Sequence, residues 1–191
     1  MAAQQPYCRY SEAAGCEAPP RAVPGQAGGA YIATSYTHGD DGFYSSGDKE
    51  YAAREPDTVA AGLDRWYEKL PAMEAAADGL RQYGPDEADL TLFVWGSTKG
   101  AALEAMELAK QEGLSVNVLQ VLYVAPFPVQ ALTKSLRRVK KSLLIEGNKT
   151  AQLGFLLRGH LGYVVDASYL KYDSRAFTPS QILARIKEVL G

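Results

Sequence analysis

Histidine and cysteine are scarce in this chain, with two of each among 191 residues. Seven residues lie between Cys8 and Cys16, a spacing that matches neither a zinc motif nor an iron–sulfur run. Two thiols make no disulfide framework either, and they read as ordinary thiols of a reducing cytoplasm. His38 and His160 lie far apart in the chain, so neither a Ser-His-Asp nor a Cys-His arrangement can be built from the order of residues. Charge of one sign is also lacking. Twenty Lys and Arg face 22 Asp and Glu, and a net charge of -2 provides no basic field for nucleic acid. No apolar run approaches the roughly 18 residues of a membrane span. The opening Met-Ala-Ala-Gln-Gln-Pro has neither the basic nor the apolar region of a secretion signal.

What is present divides into two halves. From Tyr7 to Asp57 the chain is rich in Gly, Pro, Ser, Asp and Tyr and has no sustained period. Pro24-Gly25, Gly28-Gly29 and Gly39 mark turns, and Ala30 to Ser35 reads as one short strand. So long an irregular stretch is expected to lie on another surface, of this chain or a partner. Asp57-Thr58 offers an N-cap, followed by Val59, Leu63, Trp66, Tyr67 and Leu70 at helical spacing. Pro71 ends or bends that helix, and Met73, Ala76, Ala77 and Leu80 suggest a second one. Tyr83-Gly84-Pro85-Asp86 reads as the linker. The expected division is therefore an extension over residues 1–87 and an α/β domain over 88–191.

The second half is regular. Leu90 to Trp95 is a continuous apolar run, as in a strand covered on both faces. Gly100 to Glu112 reads as a helix closed by Gly113, Val116 to Val124 as a strand, and Val129 to Val139 as a helix. Leu143 to Glu146, Ala151 to His160 and Tyr163 to Ala167 continue the alternation. Thr178 and Pro179 then open a last helix to Leu190. Strand and helix in alternation predict an α/β fold: a mostly parallel open sheet with flanking helices.

In such a sheet, ligand and partner contacts gather at the carboxyl ends of the strands. The candidate residues are therefore Gly96, Ser97, Thr98 and Lys99, then Pro126, Phe127 and Pro128, then Glu146, Asn148 and Gln152. The first loop is not a P-loop, because Lys99 precedes Gly100 and the loop is too short. Nor does it give the dinucleotide fingerprint. A tight turn with Gly100 packed on the sheet, or a partner contact, is the expectation. Phe127 is expected to be exposed or docked on a neighbour. Glu146 is a lone strand-end carboxylate without a paired acid or base in prospect, so it is expected to fix the following loop by hydrogen bonding. The loop around His38, with Asp40 and Asp41, lacks calcium-loop spacing and reads as a contact loop.

In order and spacing, Trp95-Gly96-Ser97-Thr98-Lys99-Gly100, Glu104-Ala105, Pro126-Phe127-Pro128 and Glu146-x-Asn148-x-x-x-Gln152-Leu153 resemble a known family. It is the alpha subunit of 2-oxoacid:ferredoxin oxidoreductases, especially the 2-oxoglutarate type, in its core domain II. Upstream, Pro24-Gly25, Gly28 to Tyr31, the His38 loop and the helix from Arg65 to Leu70 resemble the segment that leads into that domain. The chain departs from the family in reading Thr37-His38-Gly39 for Glu-His-Asp, and in a basic cluster thinned to Arg65, Glu68 and Lys69.

The resemblance implies a transketolase C-terminal-like domain in the final part of a larger subunit. It implies a cytoplasmic hetero-oligomer that decarboxylates a 2-oxoacid on thiamine diphosphate. Electrons pass through iron–sulfur clusters to ferredoxin, and an acyl-CoA is formed. The activating carboxylate would lie in the absent pyrimidine-binding domain, and the magnesium and diphosphate ligands in the beta subunit. This chain is then expected to bind no cofactor alone, to hold no catalytic residue, and to contact the thiamine-binding beta subunit and the remaining alpha or gamma domains. A free-standing α/β module for a small ligand, or an inactive relic, is the alternative.

Overall fold

The computed structural model describes residues 22–31, 56–76 and 78–191. The chain falls into two units, Met1–Ala72 and Met73–Gly191. His38, both cysteines and residues 32–35 of the expected strand lie outside the described residues.

In the first unit the expected turns form. Val23 donates its amide to the Gln26 side chain at 3.1 Å, and Gly29 donates to the Gln26 carbonyl at 3.1 Å. Helix α1 spans Pro56–Tyr67, so Pro56 heads it and Asp57 sits in its first turn rather than capping it. A proline there loses nothing, since its missing N–H would have had no partner. Leu63, Trp66 and Tyr67 on α1 remain 45, 47 and 69% exposed. Helix α2, Leu70–Ala76, carries Pro71 in its first turn.

The second unit is built on a five-stranded sheet of order β1-β3-β2-β4-β5. Its strands are β1 (Leu80–Tyr83), β2 (Leu90–Trp95), β3 (Val116–Val121), β4 (Ser142–Glu146) and β5 (Ala167–Leu170). β2, β3, β4 and β5 pair in parallel, while β1 pairs antiparallel with β3, Leu80 opposite Val121. Four helices connect or close the sheet: α3 (Lys99–Gln111), α4 (Val129–Leu136), α5 (Gln152–Leu161) and α6 (Pro179–Leu190).

The continuous apolar strands are what this layering requires. Leu90, Leu92 and Val94 enter a core with α3 and α6, including Ala105, Ile182 and Ile186. Phe93, alternating with them, enters a second core with Leu132 of α4 and Leu153 and Leu157 of α5. Those side chains are fully buried, and the Leu, Ile, Val and Phe among them each contribute about 1.5–3 kcal/mol on transfer from water. The exposed pair Lys140–Asp89, 3.1 Å apart, contributes well under that. The hydrophobic layers hold the fold. The last helix starts as its sequence predicts, with Thr178 and Gln181 forming a reciprocal capping box.

Several boundaries differ from expectation, among them the end of α4, which is Leu136 rather than Val139. The predicted second helix stops at Ala76, and Leu80 to Tyr83 is a strand, so the α/β unit begins well before residue 88. The strand has little apolar pattern of its own and owes its form to pairing with β3. Gly84 permits the turn after it: its φ is +85°, and a Cβ there would lie 2.9 Å from the Met106 sulfur. β3 ends at Val121, leaving Tyr123 and Val124 exposed in the next loop. The last strand is Ala167–Leu170 rather than Tyr163 to Ala167, because Tyr163 turns inward onto Phe93, ring centroids 5.8 Å apart.

Beneath that ring, Asp166 fastens the start of β4. Its carboxylate accepts from the Ser142 amide at 2.8 Å and the Ser142 hydroxyl at 2.6 Å. Burial raises the Tyr163 pKa, opposed by its hydrogen bond with Ser142 and assisted by the Asp166 charge.

Candidate functional site at the strand ends

From β2 the chain passes to β3 on one side, then crosses to β4 on the other. The loops after β2 and β4 consequently meet at the middle of the sheet's carboxyl edge, the usual position for a site in this architecture.

Glu146 ends β4 with its side chain fully buried. Its Oε1 accepts three hydrogen bonds at 2.9 Å, from Trp95 Nε1, Asn148 Nδ2 and the Leu153 amide. Asn148 Oδ1 in turn accepts from the amides of Thr150 at 3.1 Å and Gln152 at 3.3 Å. Ala151 adopts a φ of +51°, which turns the chain into α5. A helix that begins with an alanine N-cap leaves its first amides without a side-chain acceptor. Here Glu146 and Asn148 provide the acceptors from outside the helix. The carboxylate also places negative charge at the positive end of the α5 dipole.

In this network Glu146 holds the following loop and the start of α5 by hydrogen bonding. The network also occupies the Gln152 and Leu153 amides at the start of α5. The carboxylate has no opening toward solvent, so the geometry favours holding three segments together over proton transfer.

The loop after β2 is more open. Gly96–Thr98 forms one short 3-10 turn, with the Thr98 hydroxyl donating to the Trp95 carbonyl at 2.8 Å. Gly96 and Ser97 are exposed and Thr98 is buried. Gly100 is not packed on the sheet: a Cβ there would meet nothing within 4 Å. Lys99 lies 5.6 Å from the centre of the Tyr83 ring, and Tyr83 donates its hydroxyl to Gln120 at 3.0 Å. Neither Tyr83 nor Gln120 was foreseeable as a neighbour of that loop, because an antiparallel edge strand brings them there.

The Pro126–Pro128 loop corrects another expectation. Phe127 is only 6% exposed, and its ring stacks on His160 at 4.8 Å. It belongs to the core shared with α4 and α5. Pro128 is buried as well, and its ring would lie 2.7 Å from a Cβ added to Gly79. Pro126 is half-buried, and Gln152 is exposed. The exposed rim therefore includes Gly96, Ser97, Gln152 and the two residues the sequence placed in a strand, Tyr123 and Val124. Among the described residues, no three His, Cys, Asp or Glu side chains group where they could hold a metal ion.

Residues 88–185 match the model of pyruvate:ferredoxin oxidoreductase core domain II, which covers just over half of the chain. The chain belongs to this family. The alpha subunit of 2-oxoacid:ferredoxin oxidoreductase 2 from Aeropyrum pernix is 32% identical over 123 residues, 64% of this chain and 18% of that protein. The alpha subunit of an NADH-dependent phenylglyoxylate dehydrogenase from Aromatoleum evansii is 34% identical over 61 residues, 32% of this chain and 15% of that protein. The solved 2-oxoglutarate:ferredoxin oxidoreductase from Magnetococcus marinus aligns with all of this chain at 26% identity and a TM-score of 0.64, using 32% of its own chain. This core domain II chain thus spans under a fifth of the length of those two curated relatives. The Glu146 network and the loops around it fall inside the matched residues. No helix among the described residues is long and apolar enough to cross a membrane.

Proposed function

We propose that this chain is the domain II part of the alpha side of a cytoplasmic 2-oxoacid:ferredoxin oxidoreductase, with 2-oxoglutarate as its oxoacid. Its role there is to support and assemble the thiamine-binding parts, and it is not catalytic alone. The observation that carries this reading is the family match over residues 88–185, combined with a strand-end network turned inward on the protein. A site built for chemistry leaves an acceptor or donor facing the substrate. Glu146 spends its carboxylate on Trp95, Asn148 and α5 instead. The 2-oxoglutarate:ferredoxin oxidoreductase neighbour, solved with 2-oxoglutarate, coenzyme A and succinyl-CoA, supports the choice of oxoacid.

On this reading, thiamine diphosphate, magnesium and the iron–sulfur clusters belong to the partners. These are the beta subunit and the remaining alpha or gamma domains, with ferredoxin as the final acceptor. Among the described residues, no three His, Cys, Asp or Glu side chains group where they could hold a metal ion. The contacts made by this chain would come from Gly96, Ser97, Lys99, Pro126, Asn148 and Gln152. Tyr123 and Val124 would join them, while Phe127 and Pro128 serve the interior. His38 would add a contact from the N-terminal half.

The test is purification of the tagged chain from its own cells, followed by mass spectrometry and an assay with 2-oxoglutarate, CoA and ferredoxin. Co-purification of a thiamine-binding subunit and a cluster protein, with succinyl-CoA formed, is the expected result. A chain that purifies alone, free of thiamine and iron, would overturn it and favour the small-ligand module.

A further inference from the structure

We propose that the outer edge of β5, with the groove beside it, accepts an extended acidic segment of a partner polypeptide as a sixth strand.

In a parallel strand the N–H and C=O of one residue point the same way, and successive residues point to opposite sides. Lys171 donates its amide to the Glu146 carbonyl at 3.0 Å, which fixes the alternation. Tyr169 faces β4 with it, so Ser168 and Leu170 direct their N–H and C=O groups outward. Among the described residues, no strand pairs with that edge. Exposed edges are commonly blunted by proline, a bulge or lysine. Ala-Ser-Tyr-Leu contains none of these.

A groove of about 690 Å³ runs along the same edge. Ser168, Tyr169 and Leu170 form one side of it. The other is a single stripe of α6: Gln181, Ala184, Arg185 and Glu188 recur at helical spacing. Ala184, the small residue in the stripe, leaves room for a chain to lie against the helix. The dimensions suit main-chain addition, in which backbone hydrogen bonds give affinity and side-chain contacts give selectivity.

The charge of the groove selects the segment. Lys149 stands 5.6 Å from the Tyr172 ring centre, and both line the groove. Arg185 donates from one terminal nitrogen to Glu188 at 2.6 Å, while its buried Nε has no acceptor. Two cations against one carboxylate leave a net positive groove. An acidic side chain on the added strand would pair with Lys149 and compete with Glu188 for Arg185.

The experiment uses the full isotopically labelled chain and a capped synthetic peptide of alternating glutamate and valine. The same peptide N-methylated on its central valine, and a lysine–valine counterpart, are the comparisons. Binding of the glutamate peptide is expected to slow amide exchange at Ser168 and Leu170 selectively. N-methylation should abolish that protection, because it removes a ladder donor. Lys149→Glu, at an exposed position that leaves the fold intact, should weaken binding by about tenfold. Absence of protection at those amides overturns the proposal. So does equal binding of the N-methylated or lysine peptide. Protection that grows with protein concentration alone would assign the edge to a second copy of this chain, and would overturn it too.

Discussion

Trp95 donates its indole N–H to Glu146 across 2.9 Å and thereby ties the carboxyl end of β2 to that of β4. The two residues are 51 positions apart in sequence, and each is the last residue of its strand. Around this bond the α5 N-terminus and the Asn148 loop are organised. Glu146→Gln keeps the size and one acceptor oxygen for Trp95, Asn148 and Leu153, but it loses the charge and places an amide nitrogen where Oε2 faces the Gly154 amide. The expected loss is about 2 kcal/mol of unfolding free energy, the scale of a hydrogen bond to a charged group. Urea unfolding followed by tryptophan fluorescence measures it. An unchanged midpoint would mean that the carboxylate is not the centre of the network.

Phe127→Ala is predicted to destabilise the protein itself by about 3–5 kcal/mol, as for other buried aromatics. Its ring fills the α4/α5 core and stacks on His160. Asn148→Ala should cost only about 1 kcal/mol, the usual value of a lost cap. Thermal unfolding of both variants gives the comparison. A Phe127→Ala protein as stable as wild type would restore the sequence expectation of a partner contact.

Tyr163 supplies a pH dependence. Its folded pKa is raised above the ordinary 10.0 chiefly by burial. Between the unfolded and the raised folded pKa, the unfolded chain loses the tyrosine proton first. Stability contributed by the neutral phenol is present below pH 10 and is lost as pH rises through the folded value. Tyr163→Phe should therefore show a smaller fall in Tm above pH 10 than wild type does. Parallel slopes for the two proteins in that range would count against this role.

Two glycines are predicted to respond in opposite directions. Gly100 lies inside α3 with open space around its missing Cβ, so Gly100→Ala should stabilise by about 0.5–1 kcal/mol. Gly84 has a φ of +85°, and a Cβ added there would stand 2.9 Å from the Met106 sulfur and 3.1 Å from the Val116 carbonyl. Gly84→Ala should destabilise by more than about 1 kcal/mol. Denaturant midpoints decide both, and a stabilised Gly84→Ala would contradict the strain at that turn.

The layered plan was legible because burial on both faces leaves a periodic trace. Leu90 to Trp95 is apolar at every position but Thr91, and each of those residues does meet a helix layer or a neighbouring strand. Thr178-Pro179 announced α6 because capping is a local matter of backbone amides and one hydroxyl. The strand-end position of Glu146 could be read in the same way, as could its role in holding the loop. Its link to Trp95 could not, since nothing local relates the ends of two strands.

Sequence by itself thus determined the alternation of strands and helices, the apolar layers, and the ordered motifs of core domain II. These follow from periodicity, capping and turn chemistry, which act within a few residues. Tertiary structure alone decided that Leu80 to Tyr83 becomes a strand, that Phe127 turns inward, and that Trp95 meets Glu146. Each of these depends on a partner distant in the chain: the free edge of β3, the His160 ring, and the carboxylate at the end of β4. A short polar segment takes the conformation that satisfies its backbone against whatever surface the fold presents.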